Sequence, residues 1–126
     1  MLGLAKSLLL QGKVQESYSI LAKFPPSREY NSAQTLLPLS RALGNLEKGI
    51  TFDSEEPLDP AFHNTLRLEK RGNLEAAMDG LLDILREDKH YRDGEAQRVM
   101  VAILELLGDN NPVARQYRGE LASILF

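Results

Sequence analysis

The stretch YRDGEAQRVMVAILELLGDNNPVARQYRGELASILF, residues 91–126, decides the fold of this chain. Apolar residues recur at helical spacing in its first half and again in its second half. Between the halves, Gly108 suits a left-handed helix end, Asn111 suits an N-cap, and Pro112 suits the first turn of a new helix. The stretch therefore predicts two helices that fold back on each other across a sharp turn.

The second of these helices ends on large apolar residues that no polar residue follows. Its apolar residues exceed what one buried stripe needs, and five of them are candidate partner-binding residues. These are Tyr117, Leu121, Ile124, Leu125 and Phe126. Two interpretations are open. Either the residues pack against the helix around residues 81–85, or the final turn is exposed and docks in the groove of a partner protein.

Two stretches of the chain share one pattern at a constant offset of 60 residues. The matching residues are Leu8, Gly12, Val14, Ser17, Leu21 and Phe24 in the first stretch, and Leu68, Gly72, Leu74, Ala77, Leu81 and Ile84 in the second. The pattern describes a helix, a glycine turn, and a small residue where the second helix crosses the first. This order of sizes resembles the tetratricopeptide consensus, although 60 residues is not one period of about 34.

The segment between the two matching stretches predicts one irregular helix and a linker. Residues 27–43 favour a helix that Ser27 caps and that Pro38 kinks or splits. Residues 44–58 predict an irregular linker, after which Asp59 caps the next helix and Pro60 opens it. The whole pattern indicates an all-α fold, a right-handed solenoid of about seven antiparallel helices that forms a single domain over residues 1–126.

The C-terminal part of the chain also resembles one particular family. The motifs that carry the resemblance are LLDILR (81–86), YRD (91–93), ELLGD (105–109), and the ending with Tyr117, Leu121 and Phe126. Together they resemble the closing segment of the YbbN-type proteins, or chaperedoxins. Proteins of that family join a thioredoxin-like domain to a tetratricopeptide-like helical domain, and residues 1–126 contain no thioredoxin-like part.

This resemblance implies a function in protein folding and cell redox homeostasis. The chain would be the protein-binding module of a cytoplasmic co-chaperone, and its partners would be a GroEL-type chaperonin or unfolded client proteins. The last helix, residues 112–126, is where the resemblance would place the chaperonin contact. The alternative is a scaffold or self-associating tetratricopeptide-like module, for example a homodimer, without a chaperone role.

Composition excludes several other kinds of function. The chain has 126 residues, of which 43% are hydrophobic and 26% charged, as in an ordinary soluble domain. Its net charge of −3 and its lack of a basic stripe argue against nucleic-acid binding. No apolar run is long enough to cross a membrane, and the first residues do not resemble a signal peptide. These features predict a cytoplasmic protein.

No residue pattern in the chain predicts catalysis or a cofactor. Cysteine is absent, which excludes disulfides, thiolate metal ligands and thiol redox chemistry in these residues. His63 and His90 lie 27 positions apart, and neither has a second ligand at metal-binding spacing. The chain contains no nucleophile elbow and no phosphate-binding loop. We therefore predict a protein that is not an enzyme, with no catalytic, cofactor-binding or metal-binding residues.

Overall fold

The computed structural model describes residues 1–49 and 56–126, most of which are helical. They form seven α-helices and one short 3₁₀ turn at Tyr91–Gly94, with no strand among them. The helices are α1 (Leu2–Leu10), α2 (Val14–Ala22), α3 (Tyr30–Glu47), α4 (Asp59–Lys70), α5 (Leu74–Glu87), α6 (Glu95–Leu107) and α7 (Pro112–Leu125). The predicted all-α fold is therefore confirmed.

The two stretches that share the repeated pattern fold into equivalent hairpins, α1–α2 and α4–α5. In the first turn the backbone N–H of Lys13 donates to the carbonyl of Leu8 at 2.8 Å. In the second turn Asn73 donates to Leu68 at 2.9 Å. The glycine before each donor has a positive φ, 76° in the first turn and 84° in the second, which glycine adopts without strain. The repeat is thus visible in hydrogen bonding as well as in residue size.

Small residues allow α4 and α5 to cross closely. Ala77, the predicted small residue at this crossing, is fully buried. Gly80 makes a still closer approach, because a Cβ atom built there would lie 2.6 Å from Oγ1 of Thr65. The Thr65 hydroxyl is held in place, since it donates to the carbonyl of Ala61 at 2.9 Å. Position 80 therefore requires glycine, which the sequence pattern did not predict.

Helix α3 corrects three predictions about the middle of the chain. It begins at Tyr30, and Ser27 lies in the preceding turn, where its hydroxyl accepts a hydrogen bond from the N–H of Glu29 at 3.3 Å. Ser27 is therefore not the N-cap. Pro38 lies inside one continuous helix and does not split it. The helix continues to Glu47, so no irregular linker begins at residue 44; residues 50–55 lie outside the described part of the chain.

The packing of α3 explains why the helix tolerates its proline. Helix α3 lies between α2 and α6, and its contact with α6 is the most extensive between any two described helices. Its buried residues cover more than one stripe: Ala33, Leu36, Leu37, Leu39, Ser40, Ala42 and Leu43. Burying this wide apolar surface outweighs the loss of one helical hydrogen bond at Pro38. In a solenoid, each hairpin contacts the next one along the chain. The contact between α3 and α6 was therefore not predicted, because the α4–α5 hairpin lies between these two helices in the sequence.

The start of α4 is joined to the turn before α6. The predicted N-cap Asp59 is instead the first residue of α4, and Leu58 occupies the N-cap position. The Asp59 carboxylate accepts a hydrogen bond from the Tyr91 hydroxyl. The rings of Phe62 and Tyr91 pack edge to face, with centroids 5.4 Å apart. Asp59 thereby connects the second hairpin to the segment that precedes the third helix pair.

Two side chains have an exposure that their sequence positions did not predict. Leu4 lies next to the buried Ala5 and one turn before the buried Leu8 in α1, but 53% of it is exposed. Glu69 of α4 is only 2% exposed, and within the described residues neither of its carboxylate oxygens has a hydrogen-bond partner. Burial raises the pKa of the Glu69 carboxyl to about 7. The core therefore contains a carboxylic acid whose charge no described residue stabilises by a hydrogen bond or an ion pair.

Candidate protein-binding surface

The first turn of α7 is fixed to the end of α6. Asn111 is the N-cap, as predicted, and its side-chain oxygen accepts hydrogen bonds from the N–H groups of Val113 at 2.8 Å and Ala114 at 3.1 Å. One turn further on, the Arg118 guanidinium donates to the carbonyl of Leu104 at 3.2 Å and pairs with Asp109 at 3.1 Å. These contacts set the direction in which α7 leaves the turn.

The inner face of α7 packs on both α5 and α6. Tyr117 and Leu121 are each 7% exposed and belong to the core. The Tyr117 hydroxyl donates to the carboxylate of Asp79 on α5 at 2.7 Å. Burial, and then this hydrogen bond, raise the pKa of the Tyr117 phenol, so the hydroxyl stays protonated and remains a donor. This part of α7 therefore follows the first interpretation of its apolar residues, packing against the helix around residues 81–85.

The last turn of α7 borders an open groove of about 440 Å³, which we call the α6–α7 groove. Its apolar lining comes from Val101 and Leu104 on α6 and from Leu121, Leu125 and Phe126 at the end of α7. Val101 is 38% exposed and Phe126 is fully exposed. The polar lining consists of Thr35, Glu105, Asp109 and Arg118. The groove therefore combines apolar and charged lining residues.

A second groove of about 480 Å³ adjoins the first, since both are lined by Thr35 and Val101. Helices α3 and α6 form its walls, and its remaining lining residues are Asn31, Gln34, Pro38, Gln97 and Arg98. Pro38 has no N–H to donate to the carbonyl of Gln34 one turn earlier. The two grooves together form a surface that could hold an extended or helical segment of another protein.

The structure separates the five predicted partner-binding residues into two groups. Leu121, Leu125 and Phe126 line the α6–α7 groove. Tyr117 is buried and does not line it, and Ile124 is half-buried against the core. A partner-binding role for these residues stays a prediction. Val101 and Thr35 were not predicted as part of this surface. Val101 could have been found from the sequence, because it is an apolar residue outside the buried stripe of α6.

The two histidines do not belong to this surface. His63 lies on α4 and is half-buried, and His90 is exposed just before the 3₁₀ turn. Among the described residues, no three His, Cys, Asp or Glu side chains are close enough to hold a metal ion together. A search of the same residues for a helix long and apolar enough to span a membrane found none.

Comparison with known proteins agrees with the hairpin geometry. A family model described as tetratricopeptide repeat matches residues 40–126, which is more than half of the chain. No curated protein and no solved structure matches the chain. The match covers the α4–α5 hairpin, which carries the second copy of the repeated pattern, and the α6–α7 pair that borders the groove. Together with the seven described helices and their glycine turns, it shows that the chain belongs to the tetratricopeptide repeat family.

Proposed function

We propose that this chain is a protein-binding domain that binds its partner through the α6–α7 groove. The observation that carries the proposal is the fully exposed ring of Phe126 beside an apolar groove that is open to solvent. Tetratricopeptide repeat domains generally bind other proteins and do not catalyse reactions, which supports a non-catalytic role here. The occupant that fits is an apolar face of a partner helix, because amphipathic helices commonly dock their apolar face in an apolar groove.

The resemblance of the C-terminal motifs supports a more specific proposal. The chain would belong to a cytoplasmic co-chaperone of the YbbN type and act in protein folding and redox homeostasis. Its partners would be a GroEL-type chaperonin or unfolded clients, both of which expose apolar segments. Redox chemistry would lie outside these 126 residues, since they contain no cysteine.

The test measures chaperonin binding by the domain and by two matched variants. Phe126→Ala removes the fully exposed ring without removing any core contact. Leu4→Ala, the control, removes a half-exposed side chain from α1, a helix that packs mainly on α2 and contributes no residue to the lining of the groove. Burying a phenylalanine side chain contributes about 1.5–3 kcal/mol, so Phe126→Ala should weaken binding by about tenfold or more.

The outcomes distinguish protein binding through the α6–α7 groove from the more specific chaperonin contact. Loss of binding in Phe126→Ala but not in Leu4→Ala supports a chaperonin contact at the end of α7. Equal binding by all three proteins would place the contact elsewhere. If none of the three binds the chaperonin, the proposed chaperonin contact is wrong, and capture of an unfolded client protein by the same variants then tests the groove itself.

An alternative proposal is self-association through α1. Met1 and Leu4 lie three residues apart, on one face of the helix, and both are largely exposed. This patch would be covered in a homodimer that acts as a scaffold. Size-exclusion chromatography with light scattering decides the matter: a dimer that Leu4→Asp converts to a monomer supports self-association, whereas a monomeric wild-type chain rules it out.

A further inference from the structure

One face of α6 runs through both grooves and changes charge along its length. Arg98, Val101 and Glu105 are spaced three and four residues apart, so they share this face. Arg98 and Val101 line the groove between α3 and α6, and Val101 and Glu105 line the α6–α7 groove. The face therefore presents a cation, an exposed apolar side chain and a carboxylate, in that order. Arg98 and Glu105 lie about 10.5 Å apart along the helix axis.

Glu105 carries a charge that the domain does not compensate. Its side chain is half-buried and, within the described residues, it forms no ion pair. Arg118 is the one cation among the described residues that line the α6–α7 groove, and it already pairs with Asp109 and donates to the carbonyl of Leu104. On α6 itself, no lysine or arginine lies three or four residues from Glu105. The groove therefore has an uncompensated negative charge beside its apolar lining.

The position of this charge favours a cation on the partner helix. A helix that fills the groove displaces water from around Glu105, and a carboxylate that loses water without gaining a partner weakens binding. A lysine or arginine beside the apolar face of the partner removes that penalty. At the other end of the α6 face, Arg98 repels a cation, so the basic residue of the partner is favoured only near Glu105.

We propose that the α6–α7 groove selects a partner helix that carries a basic residue beside its apolar face, and that Glu105 pairs with this residue. The apolar side chains of the partner pack on Val101 and Phe126. Its ammonium or guanidinium group meets Glu105 one turn further along α6. Glu105 is then a specificity-determining residue, whereas Val101 and Phe126 supply apolar contact. The inference rests on the proposed function of the groove and adds the charge of the partner to it.

The test is an NMR titration of the 126-residue chain with three synthetic helical peptides. Each peptide has leucines spaced three and four residues apart on one face, and a single position beside that face is lysine, glutamine or glutamate. We expect the lysine peptide to shift the amide resonances of Val101 and Phe126 at the lowest concentration. The glutamine peptide should bind about twofold to fivefold more weakly, which is the usual contribution of an exposed ion pair, and the glutamate peptide should bind more weakly still.

Exchange of the charge across the groove is the decisive comparison. Glu105→Gln preserves the shape of the side chain and should bind the lysine and glutamine peptides equally. Glu105→Lys should reverse the wild-type order, so that the glutamate peptide binds more tightly than the lysine peptide. Glu16→Lys makes the same change of net charge at an exposed position on α2 outside both grooves, and it should keep the wild-type order.

Three results would overturn the inference: equal binding of the three peptides by the wild-type chain, a retained preference for lysine in Glu105→Gln, or the same change of order in Glu105→Lys and Glu16→Lys. None of these contradicts the proposed function, because Phe126→Ala should weaken binding of all three peptides whatever their charge. If the wild-type chain binds none of the peptides, docking of a helix in the groove is wrong, and the inference is wrong with it.

Discussion

The buried carboxyl of Glu69 should make the domain less stable as the pH rises through neutrality. Its pKa is about 7 in the folded protein and 4.5 without burial. Between these values the folded state holds a proton that the unfolded state releases, so stability falls as pH increases. The proton is retained in both states below about pH 4, and above about pH 8 the folded protein must hold an unpaired buried charge.

The size of the effect follows from the two pKa values. Each pKa unit corresponds to about 1.4 kcal/mol, so this group should lower the free energy of unfolding by about 2.5 kcal/mol between pH 5 and pH 8. That is a large share of the 5–15 kcal/mol that stabilises a typical domain. Because only 2% of Glu69 is exposed, solvent does little to reduce the penalty.

The assay is urea unfolding followed by circular dichroism at pH 5, 6, 7 and 8. Glu69→Gln preserves the shape of the side chain and cannot ionise, so its stability relative to wild type should improve by about 2.5 kcal/mol from pH 5 to pH 8. Glu16→Gln removes an equal charge from an exposed position on α2 and should follow the wild-type pH profile. A constant difference between Glu69→Gln and wild type at every pH would refute the reasoning.

Three further predictions concern the packing and capping of single helices, and urea unfolding measures each of them. Gly80→Ala should destabilise the domain by about 1–3 kcal/mol because its methyl group would overlap the Thr65 hydroxyl, and an unchanged midpoint would mean that α4 and α5 can separate without cost. Gly119→Ala meets no atom within 4 Å on α7 and should stabilise by about 0.5–1 kcal/mol, so any loss of stability contradicts the described surroundings. Asn111→Ala removes the acceptor for two N–H groups and should cost about 1 kcal/mol, whereas Asn111→Asp should retain most of the wild-type stability.

Features that depend on neighbouring residues in the chain were predicted well. The N-cap at Asn111, the glycine turn at Gly12 and the small crossing residue Ala77 all follow from local backbone chemistry or residue size. Gly108 was predicted to be left-handed; its φ is 90°, but its ψ of 161° is extended. At Asn111, Gly12 and Ala77 the residue type was enough to predict the local structure, whereas at Gly108 it predicted the sign of φ but not the value of ψ.

Features that depend on distant helices were not predicted. Pro38 indicates a break in any isolated helix, but contact with α2 and α6 on two sides holds α3 together through it. The burial of Glu69 was not predicted either, because a charged residue near a helix end normally faces solvent. Leu4 is the opposite case, an apolar residue that is exposed. No described helix covers its side of α1, and the helical pattern of the sequence does not reveal this.

The candidate surface shows where periodicity stops being informative. Tyr117, Leu121 and Leu125 lie at a spacing of four on one stripe of α7, yet the first two are buried and the third is half-buried. Helical spacing gives the direction of a side chain around the axis, but it does not say how far the neighbouring helices extend along that axis. Burial along the stripe therefore decreases towards the end of α7, and Phe126, the next residue, is fully exposed. Substituting Phe126 alone therefore tests partner binding, whereas deleting residues 124–126 would also remove contacts that hold α7 on the core.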